Sequence, residues 1–137
     1  MTDLLGPQMT MREVSAVSSL GLAHIGDAVY EILVRTLLIS RGETTGTHLH
    51  QDTTKLVNAG SQSEAANLLL PILSEEELSF YRRGRNADVR HIPKNATHAQ
   101  YSRATGLECL FGTLYLLGRR ERINELFQII AEEQYAT

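Results

Sequence analysis

Two carboxylates stand where helical sequences seldom place them. Asp27 interrupts an apolar run, LAHIGDAVYEILV, and Glu108 interrupts another, ATGLECLFGTLYL. Carboxylates are rarely buried unless they are paired or hold a cation. Small residues accompany both acids, Gly26 and Ala28 in the first run, Gly106 and Gly112 in the second. Glycine inside a helix costs about 1 kcal/mol relative to alanine, and close helix–helix approach is a return that would offset it. Such an approach would bring Asp27 and Glu108 together. Neighbouring carboxylates repel unless a cation or a proton joins them. A hard divalent ion such as Mg²⁺ suits them, because it takes oxygen ligands and keeps several waters. Spacing alone leaves a plainer alternative open, in which each acid sits at the wet edge of its helix and pairs with an arginine.

A second group of residues could bind phosphate. Of the 13 lysines and arginines, six fall in one stretch: Arg82, Arg83, Arg85, Arg90, Lys94 and Arg103. That stretch holds a single acid, Asp88. A local basic patch attracts phosphates even in a chain of net charge −3, although a solvated helix end and loop would look the same. Asn86, Asn95 and Thr97 add hydrogen-bonding groups there. Glu31, one turn beyond Asp27 on the same helix face, could support a metal-bound water or make a salt bridge. His24, one turn before Asp27, suits helix packing or a subunit interface. Five histidines without matching cysteines or an HExxH pattern make no zinc site. Cys109 is the only cysteine, which excludes an intrachain disulfide. It has no identifiable base to make it a nucleophile.

The elements that must position these groups all read as helices. A short helix is expected within Met9 to Ser18. Leu20, Ala23, Val29, Ile32, Leu33, Leu37 and Leu38 recur at helical spacing over 19–40, with Gly42 as the stop. A weaker helix is expected over 47–59. Ser61 with Glu64, Ser74 with Glu77, and Thr97 with Gln100 have capping-box spacing. They predict three further helix starts, the first limited by Pro71 and the second ended by Gly84. Residues 85–96 lack periodicity and read as a loop. A long helix over 98–117, closed by Gly118, and an amphipathic one over 119–133 complete the chain. With 137 residues, no repeats and no linker, one domain over 1–137 is expected. No apolar run reaches membrane-span length, and no secretion signal is read at Met1 to Gln8.

GLAHIGDAVYEILVR is similar to the signature helix of the ribonuclease III family, and ATGLECLFGTLYL resembles that family's second acidic helix. The intervening RRGRN and PKN resemble the Mini-III branch in particular. The likeness covers about Leu20 to Ile130. It departs from the broader family at two of four acidic positions, which fall on Ala23 and Thr105. This reduced pair resembles the Mini-III pattern.

The resemblance implies an all-α ribonuclease III endonuclease fold that forms a homodimer through its signature helix. It also implies an endoribonuclease that cuts double-stranded RNA. Asp27 and Glu108 are then the catalytic residues that hold Mg²⁺, for which Mn²⁺ can substitute, with Glu31 contributing through water. Metal-activated water would leave a 5′-phosphate and a 3′-hydroxyl. The stretch Arg82, Arg83, Arg85, Asn86, Arg90, Lys94, Asn95, Thr97 and Arg103 would grip the duplex, which is recognised mainly through shape, 2′-hydroxyls and phosphates. The implied substrate is the ends of large-subunit (23S) ribosomal RNA precursors, and the implied enzyme lacks a separate double-stranded RNA-binding domain, leans on a ribosomal helper protein and works in the cytoplasm or an organelle stroma. Two rivals stand beside this reading. One is a catalytically inactive, ribosome-associated RNA-binding relative, supported by Ala23 and Thr105 and opposed by the retained acids. The other is a helical adaptor whose acids make salt bridges.

Overall fold

The computed structural model describes residues 3–88 and 91–135, and every regular element among them is helical. In chain order they are α1 (Met11–Ser15), α2 (Ser19–Ser40), α3 (Gly46–Val57), α4 (Ala59–Leu69), α5 (Glu75–Arg85), α6 (His98–Leu116) and α7 (Arg120–Glu133), with a 3₁₀ turn at Leu70–Ile72. The all-α reading holds. No described helix is long and apolar enough to cross a membrane.

Helix α6 is the axis of the structure. Leu107, Cys109, Leu110, Phe111, Thr113 and Leu114 are all buried, so the helix is enclosed on nearly every side, as a helix without a polar face must be. Helices α2, α5, α4 and α7 pack around it. Tyr30 of α2 meets Phe111 of α6 edge-on at 5.4 Å between ring centroids, and Phe127 of α7 at 5.6 Å. The Tyr30 hydroxyl lies 2.5 Å from that of Tyr135, which donates to the Leu56 carbonyl at 3.0 Å. This buried relay ties α2 to α3 and to the end of the chain.

Helix starts follow local chemistry. The Ser74–Glu77 and Thr97–Gln100 capping boxes both form, and a further one joins Thr10 to Glu13. Helix α1 is shorter than expected because Ser18 is extended and caps α2 through a bond from the Gly21 amide. The expected Ser61–Glu64 box does not form. Asn58 ends α3 and caps α4, accepting from the Ser61 amide at 2.9 Å. The Ser61 hydroxyl instead donates to the Lys55 carbonyl at 2.7 Å.

Gly84 does not stop α5, which continues to Arg85. A Cβ at Gly84 would stand 2.5 Å from the Thr105 carbonyl oxygen and 2.9 Å from the Gly106 Cα. This glycine therefore allows α5 to lie against α6. Gly42 and Gly118, with φ of 101° and 80°, are the residues that turn the chain after α2 and α6.

Candidate active site

The crossing of α2 and α6 places the two acids. A Cβ on Gly26 would land on the Glu108 carbonyl oxygen, and one on Gly112 would land on the Leu22 carbonyl oxygen. The helices therefore touch backbone to backbone, one residue from Asp27 and at Glu108 itself. Gly106 serves the other crossing, with its missing Cβ 2.6 Å from the Tyr81 ring.

At this crossing the two carboxyls lie close enough to interact directly. Asp27 is exposed and Glu108 half-buried. Burial, then the neighbouring Asp27, pushes the Glu108 carboxyl up to about 9, against a smaller opposing influence from the Gln62 amide. Among the described residues, neither acid makes an ion pair. The expected juxtaposition is present, and the arginine-paired alternative is not.

The acids open into a cavity of about 800 Å³. Its walls include His24 from α2, Asn58 and Gln62 from the α3–α4 junction and α4, Lys94 and Asn95 from the loop, and Tyr101 from α6. No cluster of three His, Cys, Asp or Glu residues able to hold a metal is found among the described residues. Two adjacent carboxylates with side-chain amides in the same cavity have the oxygen-donor chemistry that a hard divalent ion would take. They do not fit a tetrahedral zinc centre.

A family model for the ribonuclease III domain matches residues 20–119, the span that carries both acids and the cavity. The chain belongs to the ribonuclease III family. It is similar to a Mini-ribonuclease 3 of Clostridium tetani, with 39% identity over 92% of this chain and 84% of that relative. It is also similar to those of Symbiobacterium thermophilum (42%, covering 82% and 87%) and Enterococcus faecalis (42%, covering 85% and 89%). A crystal structure of a Fusobacterium nucleatum protein superposes with a TM-score of 0.79 at 30% identity, over 88% of this chain and 96% of that one. These likenesses place the chain in the Mini-ribonuclease 3 branch, as an endoribonuclease of the ribonuclease III type.

Within this ribonuclease III fold, two positions that carry acids in the broader family pattern offer no ligand. Ala23 is buried against Val14, Leu22 and Cys109. Thr105 is buried, and its hydroxyl donates to the Tyr101 carbonyl at 2.9 Å. Glu31 does not line the cavity; it pairs with Arg35 at 2.6 Å. Cys109 is fully buried, and burial pushes its thiol up.

The basic stretch divides. Lys94 and Asn95 line the cavity. Arg82, Arg85 and Asn86 are exposed around the end of α5, with Arg85 5.9 Å from the Tyr81 ring centroid and bonded to Asn86 at 3.2 Å. Arg83 is directed inward, donating to the Val17 carbonyl at 2.6 Å and the Ser19 hydroxyl at 3.2 Å. Arg103 donates to Ser63 at 2.7 Å and so fastens α6 to α4. Thr97 caps α6. Arg90 lies outside the described residues.

Sequence reasoning missed Gln62, Asn58 and Tyr101 as cavity residues. A signal for Gln62 was present. With Ala65, Ala66 and Leu69 it forms the i, i+3, i+4, i+7 set of one helix face, and that face is buried.

Proposed function

We propose that this ribonuclease III-type enzyme cuts double-stranded RNA in a Mg²⁺-dependent hydrolysis, with the ends of large-subunit (23S) ribosomal RNA precursors as its substrate. The observation that carries this reading is the Asp27–Glu108 pair, set side by side with no ion pair among the described residues, in a cavity that also holds Lys94. Mn²⁺ is expected to replace Mg²⁺, since the donors are carboxylate oxygens.

Asp27 and Glu108 would hold the ion. When bound, it supplies an activated water and offsets charge on the phosphate oxygens. Lys94 neutralises a backbone phosphate, and the Asn95 amide hydrogen-bonds the sugar–phosphate chain. Arg82, Arg85 and Asn86 extend this contact along the duplex. Arg83, Arg103 and Thr97 support it indirectly, by fixing α5, α6 and the start of α6 where the RNA-facing groups need them. Water attacks phosphorus in line and the P–O3′ bond breaks. The new 5′-phosphate keeps the water oxygen, and the released 3′-oxygen takes a proton from solvent. No side chain forms a covalent intermediate.

One active site cuts one strand, so cutting both calls for two copies. Ile32 and Ile39 of α2, two turns apart, are 60% and 57% exposed, and Leu20 on the same helix is 47% exposed. Apolar groups left in water along this helix support a homodimer formed through it. A ribosomal protein that presents the RNA, and a cytoplasmic or stromal setting, complete the reading.

The test is incubation of the purified protein with a ribosomal RNA precursor stem, with and without Mg²⁺, mapping the ends on both strands. Staggered cuts carrying 5′-phosphates, seen only with the metal, are expected. Metal-independent cutting, or an intact stem, would overturn the proposal.

A further inference from the structure

Gln62 is the polar residue of α4 whose burial the fold does not explain. It is 2% exposed and sits on the same helix face as Ala65, Ala66 and Leu69, where an apolar side chain would pack without losing hydrogen bonds to water. Its buried neighbour Ser63 is satisfied by Arg103, and the half-buried Ser61 by the Lys55 carbonyl. The Gln62 Nε2 has no hydrogen-bond partner among the described residues. An unmet buried donor of this kind is destabilising, because it has given up its hydrogen bonds to water. The side chain is also placed in the wall of the cavity that holds Asp27 and Glu108. It is the neutral donor set beside the Glu108 carboxyl, opposite in effect to Asp27.

We infer that Gln62 is a positioning residue of the cleavage site, whose amide N–H closes on the Glu108 carboxylate and fixes the direction in which its oxygens meet Asp27. The inference rests on the proposed roles of Asp27 and Glu108 and deepens them. Asp27 faces Glu108, and neither acid makes an ion pair among the described residues, so the pair needs a neutral donor to settle its geometry. A glutamine of α4 meets that need from a third helix, and Arg103–Ser63 anchors that helix to α6 one residue away. Carboxylates that hold metals are themselves hydrogen-bonded by outer groups, and losing such a partner typically lowers metal affinity or activity about 10- to 100-fold. Gln62 therefore acts through Glu108 and needs no contact with the RNA.

The experiment compares the full-length wild type with Gln62→Met, which keeps the length and removes the N–H groups, and Gln62→Glu, which replaces the donor by an acceptor. Three quantities are read: Mn²⁺ binding to the RNA-free protein by electron paramagnetic resonance, the thermal midpoint, and kcat and KM on duplex RNA. Gln62→Met should keep or raise the midpoint, because the unmet donor is gone. Its Mn²⁺ affinity should fall about 10- to 100-fold, kcat should fall in parallel at fixed Mg²⁺ and partly recover in excess Mg²⁺, and KM should stay unchanged. Gln62→Glu should lose more, since it adds a third negative charge. A Gln62→Met protein that binds Mn²⁺ and cuts like the wild type overturns the inference. So does loss of cleavage that merely follows a lowered midpoint in both variants. Wild type that binds no Mn²⁺, or Asp27→Asn protein that still cuts, overturns instead the carboxylate roles on which the inference rests.

Discussion

Glu77 and Glu108 are the same residue in two regions of one small protein, and their carboxyls are driven in opposite directions. Glu77 opens α5. It accepts from the Ser74 amide at 2.9 Å and takes both ends of the Arg122 guanidinium, at 2.8 and 2.9 Å. Arg122 and these hydrogen bonds outweigh the cost of burial and hold Glu77 below the usual carboxylate range. Glu108 is withdrawn from water with no cation beside it and with another acid facing it, so its carboxyl rises to about 9. The first arrangement answers a buried charge from within the chain. The second keeps its proton instead, which on the proposed reading a divalent ion would displace. Burial of an acid therefore says little by itself; the partner decides whether the group supports the fold or waits for a ligand.

The largest expected effect comes from neutralising each glutamate in turn. Glu108→Gln should lower cleavage roughly 10³-fold or more, the scale of losing a group that stabilises transition-state charge. The same change should raise the thermal midpoint of the metal-free protein by about 2–4 °C, because the folded chain no longer has to keep a proton that the unfolded one releases. Glu77→Gln should do the reverse. It leaves half of Arg122's fork unpaired and should cost about 2 kcal/mol, with cleavage per folded molecule unchanged. Calorimetry and single-turnover assays on both proteins check the pair of outcomes. Glu77→Gln with a normal midpoint and lost cleavage would erase the contrast.

Stability against pH sharpens the same comparison. Glu77 has a folded value below its unfolded value near 4.5. Its contribution is present above pH 4.5 and is lost as pH falls through the lower folded value. Glu108 has a folded value raised to about 9. Between pH 4.5 and about 9 the unfolded chain has released a proton that the folded one keeps, so metal-free stability falls as pH rises across that window. Glu108→Gln should flatten this neutral-to-alkaline decline, and Glu77→Gln should flatten the acid-side loss. Denaturant titrations across pH without divalent ions provide the measurement. An unchanged alkaline slope in Glu108→Gln would show that the decline arises elsewhere.

Much of this arrangement was legible in the residues. The bounds of α2 were readable because apolar positions recur at helical spacing and Gly42 follows them, although the capping role of Ser18 was not read. Asp27 and Glu108 were readable as acids set in apolar helices beside glycines. Other features depend on distant partners. Gly84 looks like a stop because a terminal glycine and a glycine at a helix crossing are the same letter, and only Gly106 across the interface distinguishes them. Asn58 serves two helices at once, which gave Ser61 a false capping role. The importance of Gln62 lies in a hydrogen bond it lacks, a property of three-dimensional surroundings. Likewise, charge counts cannot show which guanidinium is already committed to its own chain.

That last distinction leads to the smallest effect, carried by Lys94 and Arg83. Lys94 is exposed in the cavity wall, whereas Arg83 ends on the Val17 carbonyl and Ser19 hydroxyl. A cation that touches a backbone phosphate releases a counterion, so removing it should reduce the slope of log K against log salt by about 0.9. Lys94→Ala should show this change, with a few-fold weaker binding to duplex RNA and an unaltered thermal midpoint. Arg83→Ala should leave the slope in place and cost about 1–2 kcal/mol of stability, because it opens a polar junction between α5 and the start of α2. Salt titrations of RNA binding in Ca²⁺, alongside thermal melts, separate the two. The opposite pattern, with the slope changed by Arg83 and not by Lys94, would move the duplex away from the cavity and toward the end of α5. The carboxylate pair would then face no phosphate, and its unanswered charge would need another explanation.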